Sequence, residues 1–245
     1  MQSVRDHYAA HLAPIYAWMC GGAAAALTRG EAELDALGLV AHATRCAVDL
    51  GAGFGMHSIP LAKRGFEVLA VDNSAELLRE LRMLAVGLQV EIIDDDILKF
   101  REHLTGAPEV ILCMGDTLTH LSDERAVESL LAQAAAAIVP GGTFVLSFRD
   151  YTIPLEAEHR FIAVRSDADR ILTCFLEYAE RHVNVHDLVH ERDGSAWRQR
   201  VSAYRKLRLS PDWVAAALDR AGFRVSRQAG LSGMVRLVAQ AKPRG

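Results

Sequence analysis

Hydrophobic positions along the chain fall into two alternating periods. Short runs dominated by aliphatic residues, at 46–50, 67–71, 89–93, 109–114 and 143–148, have strand length and predict five β-strands. Between them, apolar positions recur every three or four residues. This predicts a helix from His57 to Arg64, an amphipathic helix from Ser74 to Val86 with Ser74 as its N-cap, and an alanine-rich helix from Asp123 to Ile138. Upstream, Gly30 to Gly38 with Leu34, Leu37 and Leu39 predicts a helix leading into the first strand. Strands separated by helices make an α/β chain with a parallel sheet covered on both faces, which binds ligand at the carboxyl ends of its strands.

From residue 159 the period changes to two. Arg160 to Val164, Ile171 to Tyr178, His182 to Glu191 and Trp197 to Leu207 read as strands, with turns at Asp167, Asp169 and Asp193-Gly194. They predict an antiparallel insertion that joins the sheet and roofs the site. Ser210-Pro211-Asp212 then opens a helix through Ala221, Gly222 closes it, and 223–227 and 234–241 read as final strands. The expected organisation is one domain over 1–245: an N-terminal helical cap at 1–40, a cofactor-binding core at 41–150, the β insertion at 151–209, and the last helix and strands at 210–245.

Composition narrows the partners. A chain of 245 residues, 51% of them hydrophobic, can bury a full core. The net charge is −4 and the basic residues are dispersed, so no phosphate track and no nucleic-acid partner are expected. Cys20, Cys46, Cys113 and Cys174 form no CxxC pair, which fits free thiols in a reducing, cytoplasmic compartment. The apolar stretch 12–27 is interrupted by Pro14, Gly21 and Gly22 and falls short of the about 20 residues a spanning helix needs. It therefore reads as a packing or lid element with no membrane role.

Candidate chemistry begins at Val48-Asp49-Leu50-Gly51-Ala52-Gly53-Phe54-Gly55, a strand running into a carboxylate and a loop with three glycines, followed by Asp72 at the end of the next strand. Strand, glycine loop, helix, strand, acid is the order of a nucleotide-cofactor half-site, with the acid placed for a ribose. Met56 after Gly55, and Asp49 at the mouth of the loop, disfavour a pyrophosphate and suit a ligand carrying an ammonium and a sulfonium.

Residues 47 to 150 resemble a class I S-adenosylmethionine-dependent methyltransferase: AVDLGAGFG is similar to that family's first motif and VLAVDNS to its second. The resemblance implies a Rossmann-like fold with S-adenosylmethionine as cofactor and S-adenosylhomocysteine as product. It further implies that Gly51, Ala52, Gly53 and Gly55 line the methionine part and that Asp49 helps hold it. Asp72, followed by Asn73, would meet the ribose, Asp96 or Asp95 the adenine amino group, Ile97 the adenine ring, and Met114 and Gly115 the sulfonium. CMGDTLTHL and FRDYT carry a narrower similarity to glycine N-methyltransferase-like enzymes, although Asp116 and Asp150 stand where that branch often has Asn, which puts glycine itself in doubt.

In-line methyl transfer needs alignment and exclusion of water more than a covalent residue. Asp116, Thr117 and His120 are therefore expected along one wall of the acceptor site, with His120 as a candidate base. Arg149 and Tyr151 are expected to orient an anionic or polar substrate group. Among rings that could favour a cation, Tyr16 is the strongest candidate for the cofactor, with Tyr8 and Trp197 behind it, and Trp18 and Tyr204 are candidates for the substrate side. Metal binding by His182, His186 and His190 is not expected, because in a strand their side chains spread too far for one ion; nor is it at Asp94-Asp95-Asp96. Arg198, Arg200, Arg205, Lys206 and Arg208 read as a solvated strand face. The favoured reading is methyl transfer to a small-molecule acceptor, at nitrogen ahead of oxygen or carbon. RNA or protein methylation, an NAD-dependent reductase and a non-catalytic S-adenosylmethionine-binding protein are the alternatives.

Overall fold

A computed structural model describes residues 3–243, so the outermost positions of the expected cap and final segment lie outside the described residues. Five strands alternate with helices through the first part of the chain: β1 (Cys46–Leu50), β2 (Glu67–Asp72), β3 (Val90–Asp94), β4 (Val110–Cys113) and β5 (Thr143–Phe148). The helices among them are α1 (Val4–His7), α2 (Tyr16–Met19), α3 (Ala23–Leu37), α4 (Ser58–Lys63), α5 (Ala75–Leu84) and α6 (Glu124–Ala137). Asp123 caps α6 by accepting the Ala126 amide at 2.8 Å, and Gly38, with φ +63, ends α3. After the insertion come α7 (Pro211–Arg220), opened by Ser210 and Pro211, and a terminal pair of strands, Phe223–Ala229 and Val235–Ala241.

The insertion strands are β6 (Phe161–Ser166), β7 (Arg170–Tyr178), β8 (His182–Asp193) and β9 (Ala196–Leu207), which makes the terminal pair β10 and β11. The main sheet has seven strands in the order β10-β11-β5-β4-β1-β2-β3, parallel except where β11 runs antiparallel to β5 and β10. Alternate residues divide between its two faces. Val48 and Leu50 of β1 pack with Phe100, with Leu130 of α6 and with Leu218 of α7, whereas Ala47 faces Leu34 of α3 and Leu61 of α4.

The insertion does not join this sheet; it forms a second, four-stranded antiparallel one in the order β6-β7-β8-β9. Its inner face, with Leu172, Val183, Val185 and Val189, packs against Leu12 and Ile15 of the N-terminal segment. The period-two pattern set the strands correctly, but which surface covers them depends on residues more than 150 positions upstream. His182, His186 and His190 lie on the opposite face of β8, where His186 pairs with Glu177 at 3.0 Å. Among the described residues no helix is long and apolar enough to cross a membrane.

Candidate active site

A cavity of about 400 Å³ opens at the carboxyl ends of β1, β2 and β4. Its floor is the loop after β1. Gly51 has φ +76, and a Cβ there would stand 2.4 Å from both Oγ1 and Cγ2 of Thr117, so only glycine lets the loop after β4 close down on the loop after β1. The carboxylate of Asp72 is fixed from both sides: one oxygen accepts the Gly53 amide at 2.8 Å and the other the Ser74 amide at 2.8 Å. Burial pushes its pKa up, and these two amides oppose the shift. Ser74 therefore caps nothing with its side chain. Its Oγ is buried without a partner in a residue that lines the cavity.

Beyond β3, Asp96 turns the chain by accepting the Leu98 amide at 2.9 Å, and Asp96, Ile97 and Leu98 line the wall beside Asn73 and Leu77. Aromatic rings make the opposite wall: Tyr16 lies edge-on to Phe54, with centroids 6.0 Å apart, and Tyr8 lies 5.9 Å from Tyr16. Met114, Gly115, Thr117 and His120 close the end below β4. The His120 ring is stacked on Tyr204 at 5.5 Å and 6°, and meets the Tyr8 ring at 5.7 Å. Burial, reinforced by the nearby Lys206 ammonium, drives its pKa down to about 3, so the imidazole is neutral.

The fold therefore brings Tyr16, Gly51, Ala52, Gly53, Asp72, Asn73, Asp96, Ile97, Met114, Gly115, Thr117 and His120 to one cavity. Other expected residues lie outside its wall. Asp49 shares a sheet face with Ala47, and its carboxylate accepts from Ser58 of α4 at 2.5 Å. Gly55 serves close packing instead, since a Cβ would stand 2.4 Å from Leu81 of α5. Asp95 is turned toward Lys99 and His103, each at 3.1 Å, and the Asp96 amide and these partners hold its pKa down at about 2.

The expected acceptor groups are the most displaced. Asp116, at φ +77, is buried and accepts from the Arg149 amide at 2.9 Å, the Tyr151 hydroxyl at 3.0 Å and the Lys206 ammonium at 2.5 Å. Although burial works against its charge, Lys206 and the Arg149 amide outweigh it and lower its pKa. Tyr151 is thus a donor to Asp116. The Arg149 guanidinium donates to the Ser232 carbonyl at 2.8 Å, away from the cavity. Trp18 donates to Asp167 at 2.5 Å and Tyr204 lies behind His120, so neither lines the wall.

Sequence reasoning also missed contributors. Lys206 sits in a run of arginines that reads as a solvated face, yet it is 8% exposed. The available signal was the period of two along β9, which turns Tyr204 and Lys206 inward together while Arg205 faces out. Tyr8 stood among the aromatic candidates but ranked below Tyr16. Among the described residues no group of three or more His, Cys, Asp and Glu side chains forms a metal-binding cluster.

Residues 47–142 match a family model described as a methyltransferase domain. The glycine/sarcosine N-methyltransferase of Parasynechococcus marenigrum is 33% identical over 134 residues, which are 52% of this chain and 47% of that protein. The chain spans about half the length of the curated relatives it matches. Among solved structures, Streptomyces venezuelae DesVI superposes with a TM-score of 0.78 at 17% identity, covering 94% of this chain and 98% of its own. The amino pentose methyltransferase CalS10 of Micromonospora echinaspora, solved with S-adenosylmethionine bound, gives a TM-score of 0.73 at 18% identity, covering 89% of this chain and 90% of its own. The family match falls on the methyltransferase side of the alternatives and leaves the dinucleotide-reductase reading without support. Residues 47–142 thus match the methyltransferase-domain model, and the chain shares its fold with solved S-adenosylmethionine-dependent methyltransferases.

Proposed function

We propose that the protein is an enzyme that transfers a methyl group from S-adenosylmethionine to an amine nitrogen of a small molecule. The observation that carries this reading is the conjunction at one cavity of the Gly51 to Gly53 loop, the doubly anchored Asp72 carboxylate and the Asp96 turn. The residues fit the cofactor: the glycine floor leaves room for a backbone approach, and the buried Ser74 Oγ lacks the partner that a bound polar group would supply. Asp72 would accept from ribose hydroxyls, Asp96 and Ile97 would hold adenine, and Tyr16 with Phe54 would flank the methionine end. The cofactor, when bound, supplies an electrophilic methyl group on a sulfonium.

The remaining work belongs to this chain's residues. The 3–40 segment acts as a cap whose Val4, Tyr8 and Tyr16 wall the cavity and exclude water. At the acceptor end, a nitrogen can attack only through a free lone pair. A neutral His120 of such low pKa is a poor proton acceptor, so the site does not take a proton from an ammonium at this residue. The acceptor amine therefore reacts as its free base, having given up its proton to solvent before it enters. The glycine/sarcosine N-methyltransferase, at 33% identity against 28% for a ubiquinone biosynthesis O-methyltransferase, supports nitrogen as the acceptor atom.

Calorimetric titration with S-adenosylhomocysteine tests the cofactor assignment. Binding by the wild-type protein, weakened about tenfold or more in Asp72→Ala, is the expected result. Equal affinity in the variant, or preferential binding of NAD, contradicts it.

A further inference from the structure

The ends of β5 and β9 carry three cations, Arg149, Lys206 and Arg208, and the fold engages each of them. The Lys206 ammonium donates to Asp116, and both side chains are buried. The Arg149 guanidinium donates to the Ser232 carbonyl. Arg208 is spread over the carbonyls of Tyr151, Thr152, Ala179 and Glu180, which occupy four of its five N–H donors. None of the three therefore offers a free two-pronged edge to a carboxylate. Amides of the loop after β4 are engaged as well. Gly115 donates to the Ser147 hydroxyl, Asp116 to the Ser147 carbonyl and Thr119 to the Asp116 carbonyl.

Uncharged groups face the acceptor instead. Among the described residues no lysine or arginine lines the cavity, and its acidic side chains are Asp72 and Asp96, on the side of the glycine loop and the β3 turn. The end below β4 presents Thr117, whose hydroxyl donates to the Met114 carbonyl at 2.9 Å, and the His120 imidazole with the Tyr8 ring against it. Burial keeps that imidazole neutral, and its Nδ1 is buried without a hydrogen-bond partner. A neutral ring with one unused nitrogen can exchange a single hydrogen bond with a hydroxyl or an amide, but it supplies no charge to balance a carboxylate. In an α-amino acid the carboxylate sits on the carbon that bears the reacting nitrogen, so it would have to enter this end together with the amine. Leaving water there without a cation to receive it is costly.

We propose that the acceptor is an amine whose nitrogen-bearing carbon carries no carboxylate, an amine other than an α-amino acid, with an uncharged hydroxyl or amide placed to pair with His120. The proposal rests on the methyl-transfer reading above and narrows its substrate class. The nitrogen lone pair forms the new N–C bond as the sulfur–methyl bond breaks, which leaves S-adenosylhomocysteine and a methylated ammonium whose proton passes to water.

The test identifies the product. Labelled methyl is transferred from S-adenosylmethionine into the small-molecule fraction of a cell extract, and the labelled product is purified and its structure read by mass spectrometry. The methylated nitrogen is expected on a carbon without a carboxylate. The amino-acid analogue of that acceptor, with a carboxylate in place of the uncharged substituent on the same carbon, is then assayed beside it. Its kcat/KM should be lower by about a hundredfold or more. An N-methylated amino acid as the labelled product overturns the proposal, as does an analogue used within about tenfold of the acceptor. Absence of label from every small molecule, with S-adenosylhomocysteine still bound, overturns the methyl-transfer reading and the proposal with it, which keeps the two failures apart.

Discussion

At the scale of single residues, the cavity is governed by which side chains keep their charge. His120 is packed between Tyr8 and Tyr204, and burial, together with Lys206, holds its pKa down at about 3. An unfolded histidine titrates near 6.5. Between about 3 and 6.5 the unfolded chain therefore binds the extra proton, and this site makes stability fall as the pH drops through that window; above it the site adds no slope. NMR titration of the His120 ring should show no protonation between pH 5 and 8, whereas a midpoint near 6.5 would contradict the burial argument. The residues that sequence could read here are those fixed by local geometry: Gly51, Gly53, Asp72, Asp96 and Ile97 all stand at the ends of strands whose pattern is visible. Asp49 and Gly55 belong to the same motif, yet the first is turned to Ser58 and the second to Leu81. A motif fixes the backbone path, and alternation along the strand decides which side chains reach the ligand.

At the scale of elements, the decisive contact is one that no local pattern announces. Lys206 of β9 crosses to Asp116 after β4, and Asp116 in turn holds the amide of Arg149 and the hydroxyl of Tyr151 after β5. The ends of two sheet strands are thereby tied to the insertion, and Thr117, next in sequence, is seated on Gly51. Removing one partner of a buried pair leaves an uncompensated charge and costs about 3–5 kcal/mol, whereas removing both costs less. Urea unfolding should accordingly find Lys206→Met strongly destabilised and Lys206→Met with Asp116→Asn partly recovered. Additive losses in the double variant would contradict a coupled pair. Strands and helices of the main sheet were legible because each carries its own period, and β5 falls at the predicted 143–148. The insertion strands were legible for the same reason. Their assembly into a separate sheet was not, because it depends on Leu12 and Ile15 covering β8.

For the whole molecule, the account joins three parts around one cavity. The parallel sheet presents its glycine loop and acids, the N-terminal segment supplies Tyr8 and Tyr16 as a wall, and the insertion stands behind that segment. His7 binds Asp187 at 2.9 Å and Ser202 at 2.7 Å across this junction, and His11 meets the Asp187 carbonyl at 3.1 Å. The proposed small-molecule acceptor would have to enter beneath a cap held in this way. The direct test is transfer of labelled methyl from S-adenosylmethionine into a fractionated extract, with Asp72→Ala as control. Label appearing in amine-bearing small molecules, and lost in the variant, is the predicted result. Label entering RNA or protein, or no transfer to any fraction despite tight cofactor binding, would contradict it.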